Sequence, residues 1–345
     1  MWIAFLQKDT NPAESQRMLN KALSEMVNFV FPYRRETIPV LEWATQQSNS
    51  WKLTYYLAQN YLVVGKMKEA EQLLKTCANE PDSDIFYRFR AKIYKDKHLE
   101  QELADYQKAY DLNSSDWKVN EEFIQFYLAN NMFQEAVELS SKAYKKFPKN
   151  YNIGLAHAKA LLNTGKFKKV IDVLQKIQVL PFEHASESRE IYERAHVAVA
   201  LSHLKKNRNE KAVEILKLSK QWPENIGVGK PYDPDERLQD YLIALAMEKM
   251  EKTEDSKTLF KKIVDKTENT LKTNNLNHLY GLLAAKRLDN GSLEKLITSL
   301  KATKNVKSKT AFAIFNKDVQ VLNDLKVEIQ LPHDVWEITH WATQN

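Results

Sequence analysis

The stretch "QWPENIGVGKPYDPDER", residues 221–237, contains Gly227-Val228-Gly229-Lys230, a run that could cradle a phosphate. A phosphate loop needs a glycine five residues before Gly229, for the turn, and a hydroxyl residue after the lysine, for magnesium. Glu224 and Pro231 stand there instead, and the segment follows a helical pattern where a phosphate loop follows a strand. The reading that remains is a shaped connection, with Trp222, Gly227, Gly229, Lys230 and Tyr232 as its distinctive residues and Asp233 or Asp235 starting the next helix. Packing of Trp222 and Tyr232 is expected to hold it.

Other arrangements with chemical potential also fall short. Glu193 with His196 and Glu337 with His340 give two Glu-x-x-His pairs, which a di-iron bundle uses together with carboxylates from two further helices. His196 and His203 are seven residues apart, as are His333 and His340, about 10 Å on a helix and too far for one ion. Cys77 is the single cysteine, so no disulfide framework or cysteine zinc site can form, and it is expected as a packed, inert thiol. Acid pairs such as Glu121-Glu122 lie on charged faces, and no Gly-x-Ser-x-Gly elbow occurs. The expectation is a chain without catalytic residues, metal or cofactor.

The elements that carry these residues are helices. Three segments align: 57–77, 123–143 and 157–177. In each, a small or aliphatic residue (Ala58, Ile124, Ala158) is followed by Tyr61, Tyr127 or Leu161, then by Gly65, Asn131 or Gly165. An aromatic or Met comes next, and then Ala70, Ala136 or Val170. Gly65, Asn131 and Gly165 are spaced by 66 and 34 residues, and 90–110 supplies the missing copy with a one-residue slip. Proline recurs near the end of the period, at Pro81, Pro148 and Pro181. A 34-residue helix-turn-helix period of this kind resembles the tetratricopeptide (TPR) repeat.

That resemblance implies an all-α, right-handed superhelical array of antiparallel helix pairs, because neither helix of a repeat can bury its apolar face alone. The expected organisation is N-terminal helices over 1–49 and four repeats over 50–181. Divergent, expanded pairs with the inserted loop follow over 182–305, and C-terminal capping helices over 306–345. Spacings of 42 (Val170 to Ala212) and 44 (Ala212 to Ser256) mark the expansion. A further pair at 275–301 turns at Asp289-Asn290-Gly291, and Trp336 and Trp341 lie on a short amphipathic helix that covers a bare terminal face.

The balance of 51 Lys+Arg against 45 Asp+Glu is interspersed along the chain, which points away from nucleic acid. No apolar run approaches the roughly 20 residues of a membrane span. The N-terminus lacks the basic segment and apolar core of a signal peptide, so a cytoplasmic protein follows if this start is native, and a periplasmic one if the sequence is a piece of an exported chain.

In TPR proteins the first helix of each pair lines the concave groove. In register with Gly65 this places Lys52, Tyr55, Tyr56 and Gln59 there; with Asn131, Glu121 and Gln125; with Gly165, Asn152, Lys159 and Asn163. The slipped second repeat adds Arg88, Arg90 or Lys92. Tyrosines, amides and cations suit an extended peptide or a sugar. The clamp that grips chaperone tails is not matched, since Tyr55 and Gln59 replace its Lys and Asn.

Residues 33–82, with "WPENIGVGKPYDPDER", also resemble the C-terminal helical region of bacterial proteins in the domain of unknown function 5107 family. That family joins TPR repeats to a β-rich, mutarotase-like region and is associated with carbohydrate use. Two readings follow: a non-catalytic scaffold binding a protein or peptide in its groove, or a helical accessory region of a carbohydrate-active protein, with an oligosaccharide as ligand. Any sugar chemistry of the β-rich region does not transfer, because that region is absent from this sequence.

Overall fold

The computed structural model describes residues 1–28, 30–289, 291–325 and 331–345. Among them are twenty α-helices and no strand, in two compact units, 1–131 and 132–345. Each unit is all-α and built of TPR-type helix pairs.

Unit 1 holds α1 (Trp2–Gln7), α2 (Pro12–Ser24), α3 (Thr37–Gln47), α4 (Trp51–Val63), α5 (Met67–Thr76), α6 (Asp84–Tyr94), α7 (Leu99–Asn113) and α8 (Trp117–Ala129). Asn11 caps α2 by accepting from the Glu14 N–H, with Pro12 in the first turn, and Asp116 caps α8. Pairs α4/α5 and α6/α7 stack through rings and small residues. Trp51 and Tyr55 each pack edge to face on Phe86, while Ala58, Ala70, Ala91 and Ala109 are fully buried.

Unit 2 holds α9 (Phe133–Lys146), α10 (Tyr151–Asn163), α11 (Phe167–Leu174), α12 (Glu187–Leu204), α13 (Asn209–Ser219), α14 (Arg237–Lys249) and α15 (Thr253–Thr270). It continues through α16 (His278–Leu288), α17 (Ser292–Lys301), α18 (Val306–Asn316), α19 (Val319–Leu325) and α20 (His333–Gln344). One core runs through it, from Val197 and Leu201 past Tyr241, Phe260 and Tyr280 to Ile314, Ile338 and Ala342.

A left-handed residue closes the turns of α4/α5 and α6/α7 in unit 1 (Gly65, Asp96) and of α10/α11, α12/α13, α14/α15, α16/α17 and α18/α19 in unit 2 (Gly165, Asn207, Glu251, Asp289, Lys317). Asn131, at the end of unit 1, has the same conformation, with φ 58°. At Gly65, Gly165, Asn207, Glu251 and Lys317 the next residue's N–H reaches back five residues, as from Lys66 to Tyr61 O at 2.9 Å, satisfying a carbonyl at the helix end. The slip in the second repeat has a local cause. Its turn, 95–98, is one residue longer than 64–66, and the His98 N–H bonds only four back, to Tyr94 O. Asn290, expected within a turn, lies outside the described residues, whereas Asp289 and Gly291 both have positive φ.

The inserted loop is ordered by a neighbour that the sequence treated separately. Residues 224–226 make one 3-10 turn, which Gly227 ends at φ 67°. Asn225 donates through Nδ2 to Leu174 O (2.8 Å) and Ile177 O (3.0 Å), and its own carbonyl accepts the Val179 N–H at 2.8 Å. Ser188 donates to Ile226 O at 2.7 Å. The two expanded connections, 175–186 and 220–236, therefore fold against each other. Trp222 stacks under the Arg189 guanidinium, 4.5 Å from the ring centroid. Tyr232 is fully exposed, so the expected packing role falls to Trp222 alone. Asp235 does meet the start of α14, accepting from the Arg237 N–H at 3.3 Å, while Asp233 pairs with Lys266.

Candidate functional site

In unit 1, α4, one face of α6, the end of α7 and the start of α8, with Asn28 and Phe31 of the α2–α3 connection, surround a concavity of about 370 Å³. Its wall is aromatic and aliphatic: Tyr55 stands edge-on to Phe89 at 5.3 Å, with Ile85 beside them. Polar side chains line the rest, among them Arg88, Lys92, Asn113 and Lys118. Burial pushes the Tyr55 hydroxyl up to about 12, so it stays protonated.

The charges are organised around Glu122. Arg88 donates to both its oxygens (2.7 and 3.0 Å), and Lys92 reaches Oε1 at 2.7 Å. Burial alone raises the Glu122 carboxyl, but Arg88 and Lys92 outweigh it and hold it below the usual carboxylate range. Arg88 also lies 3.4 Å from Asp84, itself bonded by Asn113. Lys92, although bonded to Glu122, and Lys118 are exposed side chains at the rim. The site therefore presents a ring wall, a fixed ion-pair ladder and two rim cations.

The groove residues read from the sequence fall into several environments. Tyr55, Arg88 and Lys92 meet at this concavity. Lys52 is used elsewhere, donating to the Leu23 and Glu25 carbonyls at the end of α2. Tyr56 is buried and borders a second, apolar hollow of about 430 Å³ with Trp2, Phe31 and Tyr33, and Gln59 is buried on α4. Arg90 lies between α6 and α7, bidentate to Asp105 (2.9 and 2.7 Å) and bonded to Ala78 O, away from the concavity. Glu121 and Gln125 are half-buried on α8. In unit 2, Asn152, Lys159 and Asn163 are half-buried on α10, with Lys159 paired to Glu187 at 2.7 Å.

Unit 2 also has a polar centre that the sequence did not single out. Glu193 accepts from Gln239 at 2.7 Å and lies 3.0 Å from Arg189, and burial pushes its carboxyl up against the Arg189 charge. The C-terminal helix α20, expected as a cap, lies on the first helices of three pairs. Arg194 of α12 grips Asp334 at 2.9 and 2.6 Å, and Lys205 pairs with Glu337 at 2.5 Å. Lys249 of α14 sits over the Trp341 ring, and Arg287 of α16 bonds the Asn345 carbonyl. These contacts join residues up to 140 apart in sequence, and spacing alone gives no signal for them.

Residues in the two Glu-x-x-His pairs have structural partners: Glu193 as above, Glu337 with Lys205, and His196 donating through Nδ1 to Tyr192 O at 2.8 Å. Among the described residues no group of three or more His, Cys, Asp or Glu side chains could hold a metal ion. Burial pushes the Cys77 thiol up to about 11, which makes it a poor nucleophile. Gly227 spends its N–H on Glu224 O, closing the 3-10 turn. None of the described helices is long and apolar enough to cross a membrane.

No family model and no curated protein matches the chain, and the resemblance to the 5107 family is not confirmed. Solved structures with similarity include the C-terminal part of a TPR repeat-containing protein from Cytophaga hutchinsonii, at 12% identity, over 80% of this chain and 99% of that one, with a TM-score of 0.46. A second is PilW, a type IV pilus biogenesis factor, at 15% identity over 72% and 98%, TM-score 0.35. A third is a human IFIT1 dimer with PPP-AAAA, at 15% identity over 93% and 88%, TM-score 0.34. The helix-pair architecture stands on the turns and stacking described above, independently of these likenesses.

Proposed function

We propose that the protein is a non-catalytic interaction scaffold and that the concavity of unit 1 binds a protein partner through an extended peptide segment. The observation that carries this is the Tyr55–Phe89 wall beside the Arg88–Glu122–Lys92 ladder. An apolar side chain has a pocket to fill, and the rim cations Lys92 and Lys118 suit an acidic residue flanking it. Sugar binding, the alternative implied by the resemblance, has no comparable observation in its favour.

The test is selection of a displayed peptide library on the full chain, followed by rebinding to a Lys92→Glu/Lys118→Glu variant. Both residues are exposed, but Lys92 also bonds Glu122, so an unchanged melting temperature of the variant is required before its binding is read. Peptides with an apolar anchor beside Asp or Glu should be enriched and should lose about tenfold or more in affinity for the variant. Failure to enrich any peptide, or equal binding to the variant, rejects the reading. Thermal stabilisation by an oligosaccharide, with no peptide enriched, would favour the sugar alternative instead.

A further inference from the structure

The second candidate surface lies wholly in unit 2 and does not depend on the unit 1 reading. Every other described helix of unit 2 packs chiefly on helices close to it in sequence, as α13 on α14, α15 on α16 and α16 on α18. The helix α20 does not. It returns to α12, and its ion pairs with Arg194 and Lys205 span 140 and 132 residues. A solenoid of stacked pairs already has its nearest-neighbour interfaces without such a helix. What α20 covers is therefore a surface formed by the rest of the array.

The seating has a readable chemistry. Asp334, Glu337, Ile338, Trp341 and Ala342 are spaced i, i+3, i+4, i+7 and i+8, which brings them to one face of the helix. The two carboxylates meet two cations of the α12 side, Asp334 being only 6% exposed, while Ile338 and Ala342 enter the core of unit 2. Beside Ile338 a hollow of about 290 Å³ remains, lined by Phe167, Ala198, Leu201 and Ser202 and bordered by Asp334 and Glu337. The occupant thus leaves part of its own seat unfilled.

We propose that the face of α12, α14 and α16 is a helix-docking site held in cis by α20, and that its partner in trans is an amphipathic helix. That helix would carry two carboxylates three residues apart, followed by apolar residues one and five positions after the second. The unfilled hollow gives such a partner room for a larger side chain than Ile338, so a competing helix has contact area that α20 does not use. The array then alternates between a closed form, with α20 seated, and an open form that accepts the partner.

The first measurement is hydrogen exchange on the full chain. The amides of α20 should exchange about tenfold or more faster than those of α14 and α16, as expected of a helix that opens locally while the array stays folded. The second uses a labelled peptide of residues 331–345 and full-length protein with Asp334→Lys and Glu337→Lys, which loosens α20 without removing it. The peptide should bind this variant about tenfold or more tighter than the unaltered chain, and a peptide with the same two reversals should not bind. The proposal is overturned if α20 is protected as strongly as α14, or if the peptide fails to bind a variant shown to be folded. It is also overturned if the peptide-free protein forms a dimer by exchanging α20 between two copies. Should the variant fail to fold, the exchange measurement on the unaltered chain still decides.

Discussion

Arg90 shows how a residue assigned by repeat register can belong to the fold instead. It and Asp105 are 6% and 3% exposed, and two backbone carbonyls complete the guanidinium's bonds. Burial pushes the Asp105 carboxyl up even with Arg90 beside it, so the pair adds little on its own, but breaking it strands a buried charge. Arg90→Met is expected to cost about 3–5 kcal/mol in urea unfolding, and Arg90→Met/Asp105→Leu to recover most of that. Equal losses in the single and double variants would contradict this account. His157 gives a pH test. Burial, followed by Lys166 and Lys169, pulls its imidazole down to about 4, while Ser140 bonds Nδ1 and Tyr144 stacks on the ring. The folded state holds it neutral, so its contribution is intact above the unfolded value of 6.5 and fades as pH falls from there toward 4. His196 and His278 are pulled down too, so acidification destabilises the chain in any case. The fall in melting temperature between pH 7.5 and 4.5, values chosen to bracket roughly that window, should be smaller in His157→Gln than in the unaltered chain.

Connections between helices explain what was legible in the sequence and what was not. Gly65, Asn131 and Gly165 announced their turns because glycine and asparagine tolerate positive φ. Glu251 and Lys317 occupy the same conformation, but their side chains give no such signal, and packing of the flanking helices imposes it. The inserted loop was legible as ordered, from its glycines and prolines, but not its docking on 175–186, which depends on Asn225 finding carbonyls about fifty residues earlier. Repeat register grouped Tyr55 with Arg88, Arg90 or Lys92, of which Tyr55, Arg88 and Lys92 line one concavity and Arg90 does not, a distinction that the one-residue slip blurred. Two glycines of the loop now separate. A Cβ on Gly227 would sit 2.7 Å from Val179 O at a left-handed φ, while one on Gly229 would meet nothing within 4 Å. Gly227→Ala should therefore lower stability by about 2 kcal/mol or more, and Gly229→Ala should leave it unchanged within about 0.5 kcal/mol. Thermal melts of the two variants check this, and equal effects would mean that the 3-10 turn is not anchored on Val179. Trp222→Ala is likewise expected to destabilise, and Tyr232→Ala is not.

For the molecule as a whole, a stacked array passes stability from neighbour to neighbour, and Gly281 is the place to test how far that runs within unit 2. A Cβ on Gly281 would lie 2.2 Å from Thr267 Oγ1 and 2.5 Å from its Cγ2. Thr267 is β-branched and fully buried in α15, so it cannot swing aside. It is also tied at both ends of its hydroxyl, donating to Ile263 O at 2.8 Å and accepting from buried Arg237 at 3.0 Å. Gly281→Ala must push α16 from α15 or break the Arg237 bond, and overpacking of this kind costs about 1–3 kcal/mol. In a nearest-neighbour array the loss should appear as faster amide exchange in α14, α15, α16 and α18, with α10 and α11 keeping their protection. α12 is the informative exception. It stands near α10 in the sequence order, yet α20 ties it to α14 and α16 through Arg194, Lys249 and Arg287. α14 also touches α12 directly through Gln239 and Glu193, so only acceleration of α12 that disappears when Asp334 and Glu337 are reversed to Lys would show α20 carrying coupling across the stack. Uniform acceleration from α10 to α18 would show that unit 2 unfolds as one cooperative body, and the nearest-neighbour account would be wrong.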